Sequence, residues 1–136
     1  MVFGCSDVTL DRYISHVEAI AKSQKEISFN CRYAMLHNDD SNDNYYVFLV
    51  PDVGYAEISK LHDKLYSGEF ASFLRLDIPY IPHIGIATIP DANLIKNLCD
   101  ELNSKDINIT GNISSLTVSE YDGSKITDIE RFRFST

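Results

Sequence analysis

The apolar positions of this chain switch between two periods. Leu10, Tyr13, Ile14, Val17, Ile20 and Ala21 recur at three- and four-residue steps, which places them on one face of an α-helix. Asp7 or Thr9, just ahead, offers a side-chain oxygen to the first free backbone N–H groups, so the helix is predicted to start there. From Ile27 the period drops to two, through Phe29, Cys31, Tyr33 and Met35, as in a half-buried strand. The Asn- and Asp-rich stretch from His37 to Asn44 is a turn, and Tyr45 to Val50 returns as the second strand of a hairpin. Pro51 and Gly54 break the chain before a second helix with Tyr55, Ile58, Leu61 and Leu65 inward and Gly68 placed to end it. A less regular segment then passes Phe73 and Leu76 and reaches the loop 77–82, which leads into a short apolar strand from His83 to Thr88. Pro90 and Asp91 open a third helix with Leu94, Ile95, Leu98, Cys99 and Leu102 inward. Two final strands, Ile107 to Val118 and Lys125 to Phe134, join across the hairpin signal Asp122-Gly123.

With Met1 to Cys5 read as the end of a strand, a strand-helix-hairpin unit occurs twice and no linker separates the copies. This order predicts a single α+β domain over residues 1–136, with mainly antiparallel sheets and helices packed outside. Lobe one is expected mainly in 1–50 and lobe two mainly in 82–136.

A hydrophobic content of 44% in 136 residues excludes a disordered chain. The formal net charge of -8 argues against a broad nucleic-acid clamp, which must displace counterions from many phosphates. It leaves room for a small site that binds one phosphate through a local cluster of donors. Cys5, Cys31 and Cys99 are odd in number and form no CxxC pair, so they read as reduced thiols of a cytoplasmic protein. No apolar stretch approaches membrane-spanning length, and the N-terminus has no signal-peptide pattern. There is no glycine-rich phosphate loop, nucleophile elbow or metal-ligand pattern. Asp39, Asp40 and Asp43 lack the Gly and distal Glu of a calcium loop.

The chemistry concentrates in Ile81-Pro82-His83-Ile84-Gly85-Ile86-Ala87. Residues two apart on a strand face the same side, so a histidine and a hydroxyl at that spacing enter one cleft. This segment, with the helix and hairpin on either side of it, resembles the second of two His-x-Thr/Ser motifs of the 2H phosphoesterases. That group includes 2'-5' RNA ligases and RNA 2',3'-cyclic phosphodiesterases. The resemblance covers nearly the whole chain and implies a two-lobed fold and metal-independent, cofactor-free chemistry. One histidine would act as general base and the other as general acid on a cyclic phosphate, while hydroxyls bind its oxygens. It assigns His83 the catalytic position and Gly85 the hydroxyl position, with Tyr80 and Arg75 as further substrate-binding candidates. The implied partner is a small nucleotide or an RNA-end phosphate, not DNA or a membrane.

Two departures qualify the resemblance. Gly85 lacks the hydroxyl, and Thr88 falls on the opposite face of a regular strand unless a bulge intervenes. The first motif is not found. Asp7-Val8-Thr9-Leu10 reads as a helix start, and aligning the two copies sets Met1 against Ile86, which would put the first histidine, with the family's opening strand and helix, ahead of residue 1. The chain is therefore expected to be weak or inactive, with a sheet edge left uncovered through which copies associate. The alternative is a non-catalytic nucleotide- or protein-binding module on the same fold. A single histidine on an apolar strand is more often structural, and only the order of elements singles out His83. His16 reads as lying on the exposed side of the first helix, His62 as a surface residue beside Asp63, and His37 as the border of a solvated turn. Arg131 and Arg133 have ordinary salt-bridge explanations.

Overall fold

The computed structural model describes residues 7–38 and 42–136. The strand end expected in Met1 to Cys5, the Cys5 thiol, and Asp39 and Asp40 of the turn lie outside the described residues. In chain order the elements are α1 (Leu10–Ser23), β1 (Ile27–Asn38), β2 (Tyr45–Val53), α2 (Tyr55–Leu65), a 3-10 turn (Gly68–Phe73), β3 (Ile84–Ile89), α3 (Ala92–Asn103), β4 (Ile109–Ile113), β5 (Ser115–Tyr121) and β6 (Ile126–Arg133). Four strands form one sheet in the order β3-β2-β1-β4, and β5 pairs with β6 in a second. The β1–β2, β2–β3 and β5–β6 pairings are antiparallel, as expected of the α+β class.

Caps set the helix starts. Thr9 caps α1, its side chain accepting from the Arg12 N–H at 3.4 Å. Asp91 caps α3, accepting from the Asn93 and Leu94 N–H groups at 2.9 Å each. Asp7-Val8-Thr9-Leu10 is thus a helix start, as the sequence indicates. Gly68, with φ +60, does not end α2, which stops at Leu65; it heads the 3-10 turn instead. Leu10 and Leu94, expected inward, are 50% and 57% exposed, because each stands in the first turn of its helix, ahead of the packed positions.

Contacts divide the chain into two compact units, each assembled from separate stretches: 7–27, 57–79 and 112–136 among the described residues of the first, and 28–38, 42–56 and 80–111 of the second. In the first unit, Ala21, Ile27, Leu61 and Phe134 form the core, with Ile20, Ile58, Leu116 and Phe132 against them. Phe70 is buried there beside Tyr13, edge to face at 5.3 Å. The hairpin turn follows the sequence closely: Gly123 takes φ 97, and Asp122 Oδ1 accepts from the N–H groups of Ser124 and Lys125.

In the second unit, α3 covers one face of the sheet. Ile95 and Cys99 meet Cys31, Ala34, Val47 and Leu49 in its core. The Asn103 side chain closes the packing: its Oδ1 accepts from the Ala34 N–H at 2.7 Å and its Nδ2 donates to the Ala34 carbonyl at 2.8 Å. A strand expected to run unbroken from Ile107 to Val118 is two strands. At Ser114 the chain leaves the four-stranded sheet, and β5 pairs with β6.

Candidate functional site

The second unit presents a sheet face away from α3. On β2, Tyr45, Val47 and Leu49 turn toward α3, so Tyr46 and Phe48 turn the other way. On β1, His37 lies opposite Tyr46 and Met35 opposite Phe48. On β3, Gly85 lies opposite Phe48 and Thr88 opposite Tyr46. Directly paired residues share a face, so His37, Tyr46 and Thr88 form one row and Met35, Phe48 and Gly85 the next.

A bulge makes this possible. Phe48 pairs with Gly85 and Val47 with Ala87, which leaves Ile86 as an extra residue and shifts the parity of β3 beyond it. Thr88, which a regular strand would turn toward α3, comes onto the Gly85 face. Ile84, opposite Leu49, keeps to the α3 side but is 42% exposed, since β3 is the outer strand.

His83 stands one residue ahead of β3, not within it. Its Nδ1 lies 2.7 Å from the Ile81 carbonyl oxygen, and a carbonyl only accepts, so Nδ1 donates and, in the neutral ring, Nε2 is the atom with the lone pair. The ring stacks on Phe48 at 3.8 Å between centroids and an interplanar angle of 19°. Phe48 also stacks with His37, at 5.1 Å and 25°. Since β2 runs between β1 and β3, the two imidazoles flank the phenyl ring from opposite sides. Tyr46 borders the group, 5.9 Å from Phe48 and 6.3 Å from His37.

Gly85 is open. A Cβ built there meets nothing within 4 Å, and its backbone is not in the left-handed region. Tyr80 is half-buried, and burial, reinforced by the neighbouring Tyr55, raises its phenol pKa. Arg75 belongs to the first unit, where its Nε and Nη2 donate to the two carboxylate oxygens of Asp77 at 2.8 and 2.6 Å. That bidentate bond lowers the Asp77 carboxyl to about 2.

Two further histidines pack inside the first unit. His16 is half-buried, stacked on Phe70 at 4.5 Å, with Nε2 2.9 Å from the Leu65 carbonyl oxygen. It does not lie on an exposed helix side. His62 is buried, not on the surface: it is 8% exposed, meets Tyr66 edge-on and lies 3.1 Å from Asp63 Oδ1. Both corrections have one cause, since the segment after α2 that covers these rings has no periodicity to announce it. Sequence reasoning missed Phe48 and His37 as well. His37 borders the polar turn, but β1 extends through Asn38 and carries it onto the sheet face.

A family model described as the 2'-5' RNA ligase superfamily matches residues 1–125. The chain belongs to that superfamily. The matched span includes His83, Gly85 and every residue of the aromatic face. A comparison with curated proteins finds no match. Among the described residues no helix of this 2'-5' RNA ligase superfamily member is long and apolar enough to cross a membrane.

Proposed function

We propose that this member of the superfamily acts on the phosphate of an RNA end or small nucleotide, as a 2',3'-cyclic phosphate or 2'-5' phosphodiester, with His83 as its proton-carrying residue. The observation that carries this reading is the anchoring of the His83 ring: Nδ1 bonds the Ile81 carbonyl, which makes Nε2 the acceptor of the neutral imidazole on an exposed side chain. An imidazole fixed in that tautomer is ready to take a proton from water attacking phosphorus. On this reading the whole chain works as one 2H phosphoesterase-like domain, and Tyr80 flanks the base.

Turnover by these 136 residues is proposed to be slow. Gly85 supplies no hydroxyl, and His83 is the sole histidine in an apolar Pro-His-x-x strand context; no histidine of the chain is followed two residues on by Thr or Ser. A second reading, a nucleotide-binding module without catalysis, is favoured by the same glycine. Hydrolysis of a nucleoside 2',3'-cyclic phosphate separates the two. The enzyme reading expects measurable product that falls by roughly 10²-fold or more in His83→Ala. His16→Gln should keep the rate, because that ring serves packing. Product formation that is indifferent to His83, or binding with no product at all, contradicts it.

A further inference from the structure

We infer that His37 is the second proton carrier of this site, acting across Phe48 from His83; this rests on the reading of His83 given above. His37 and His83 come from the two strand segments on either side of β2, and both lie nearly parallel to the ring between them. Phe48 is 9% exposed, so the two imidazoles stand at the edges of an apolar floor.

The spacing suits a phosphate. Two hydrogen bonds of ~2.8 Å joined through two oxygens of one phosphorus span about 8 Å between nitrogens. Two rings separated by a single phenyl, with centroids 5.1 and 3.8 Å from it, can reach a group of that width above the floor. Among the described residues no hydrogen bond joins the two rings, and His83 Nε2 and the His37 ring are both left to meet a ligand. The Thr88 hydroxyl lies on the same face, in the row of His37 and Tyr46, because of the bulge at Ile86. A hydroxyl is thus present on this face although Gly85 has none.

The tautomer suits His83 to the base's role and leaves the acid's role to His37. His83, protonated at Nδ1 by its bond to Ile81, uses Nε2 to take one proton from a water molecule as the water oxygen bonds to phosphorus. The bond from phosphorus to one ribose oxygen breaks, its electron pair stays on that oxygen, and the His37 imidazolium gives the oxygen a proton. The products are a phosphomonoester and a free hydroxyl. The two histidines then hold each other's starting charge, and solvent exchange resets them.

The test uses two substrates. A nucleoside 2',3'-cyclic phosphate has an alkoxide leaving group that needs a proton, whereas a nucleoside 4-nitrophenyl phosphodiester has one that does not. The full chain, His37→Ala, His37→Gln and His83→Ala are assayed on both, after circular dichroism and thermal melting confirm folding. We expect both His37 variants to lose roughly 10²-fold or more on the cyclic phosphate and little on the nitrophenyl ester, while His83→Ala is slow on both. Added imidazole should restore part of the cyclic-phosphate rate to folded His37→Ala. Equal losses on the two substrates, absence of imidazole rescue, or an unchanged rate in His37→Gln would overturn the role of His37 and leave that of His83 standing. If His83→Ala is unchanged, or the full chain turns over neither ester, the reading of the site itself falls and this inference with it.

Discussion

Gly85→Thr is expected to raise stability and turnover together. A Cβ at this position meets nothing within 4 Å, so the side chain enters without displacing a neighbour. Glycine inside a strand costs about 0.5–1 kcal/mol relative to alanine, through the freedom it loses on folding. A β-branched residue on an outer strand should recover about 1 kcal/mol, enough to raise the melting temperature by several degrees. The catalytic effect is separate. Gly85 faces the same side as Phe48, beside the His83 ring. A donor aimed at developing phosphoryl charge contributes roughly 10²–10³-fold in kcat, about 2.7–4 kcal/mol, when held in a water-excluded site. The outer strand is open to solvent, so the lower end, about 10²-fold, is the expectation here. Cyclic-phosphate hydrolysis and thermal denaturation are measured side by side, with Gly85→Val as the control that has the shape and β preference but no hydroxyl. Valine should raise the melting temperature and leave the rate unchanged. Equal rates in the two variants would refute the donor argument, and a destabilised Thr variant would refute the packing argument.

Asn103→Ala should destabilise the fold by about 1–3 kcal/mol in denaturant unfolding, because it removes the amide bonds to the buried Ala34 N–H and carbonyl and leaves the carbonyl only the Cys99 thiol; a change under 0.5 kcal/mol would show that water replaces the amide. The Asp77 carboxyl should titrate near pH 2 by NMR and return toward 3.8 in Arg75→Ala, whose guanidinium holds it down. Its folded pKa is depressed, so any stability it contributes is present above pH 3.8 and is lost as pH falls from there through about 2. An Asp77 midpoint near 3.8 in the unsubstituted chain would mean that the bidentate bond does not persist in solution.

The elements were legible because each carries its own periodicity and punctuation. Val17, Ala21, Ile95 and Cys99 are buried where helical spacing puts them, and Thr9, Asp91 and Gly123 act as cap or turn as their chemistry requires. The apparent repeat was a weaker guide. With Met1 set against Ile86, the buried Ile95 and Cys99 of α3 fall on Leu10 and Ile14, yet the buried positions of α1 are Val17 and Ala21, so the two helices do not pack in the register that their apolar spacing suggests. The break at Ser114 was hidden for a related reason: apolar residues continue across it, and only the exchange of pairing partners ends the strand.

The proposed site was half legible. His83 and Gly85 announce themselves by sequence context, but the face they share with His37, Tyr46, Phe48 and Thr88 depends on cross-strand register. A single extra residue at Ile86 moves Thr88 from one side of the sheet to the other. No local pattern at 45–50 reveals where a strand 35 residues later will pair, so Phe48 read as one apolar strand residue among several.

Histidine NMR tests, without requiring turnover, whether the face formed by His83 and Phe48 receives the phosphate. The chain has four histidines, whose imidazole proton and nitrogen signals are assigned by substituting each in turn. A nucleoside 3'-monophosphate, a product of the proposed reaction, is then titrated into the full chain. Saturable shifts are expected of the His83 and His37 ring signals, with His16 and His62 unmoved because their rings are packed against Phe70 and Tyr66. Saturable binding that shifts His16 or His62 and leaves His83 in place would contradict that placement of the phosphate.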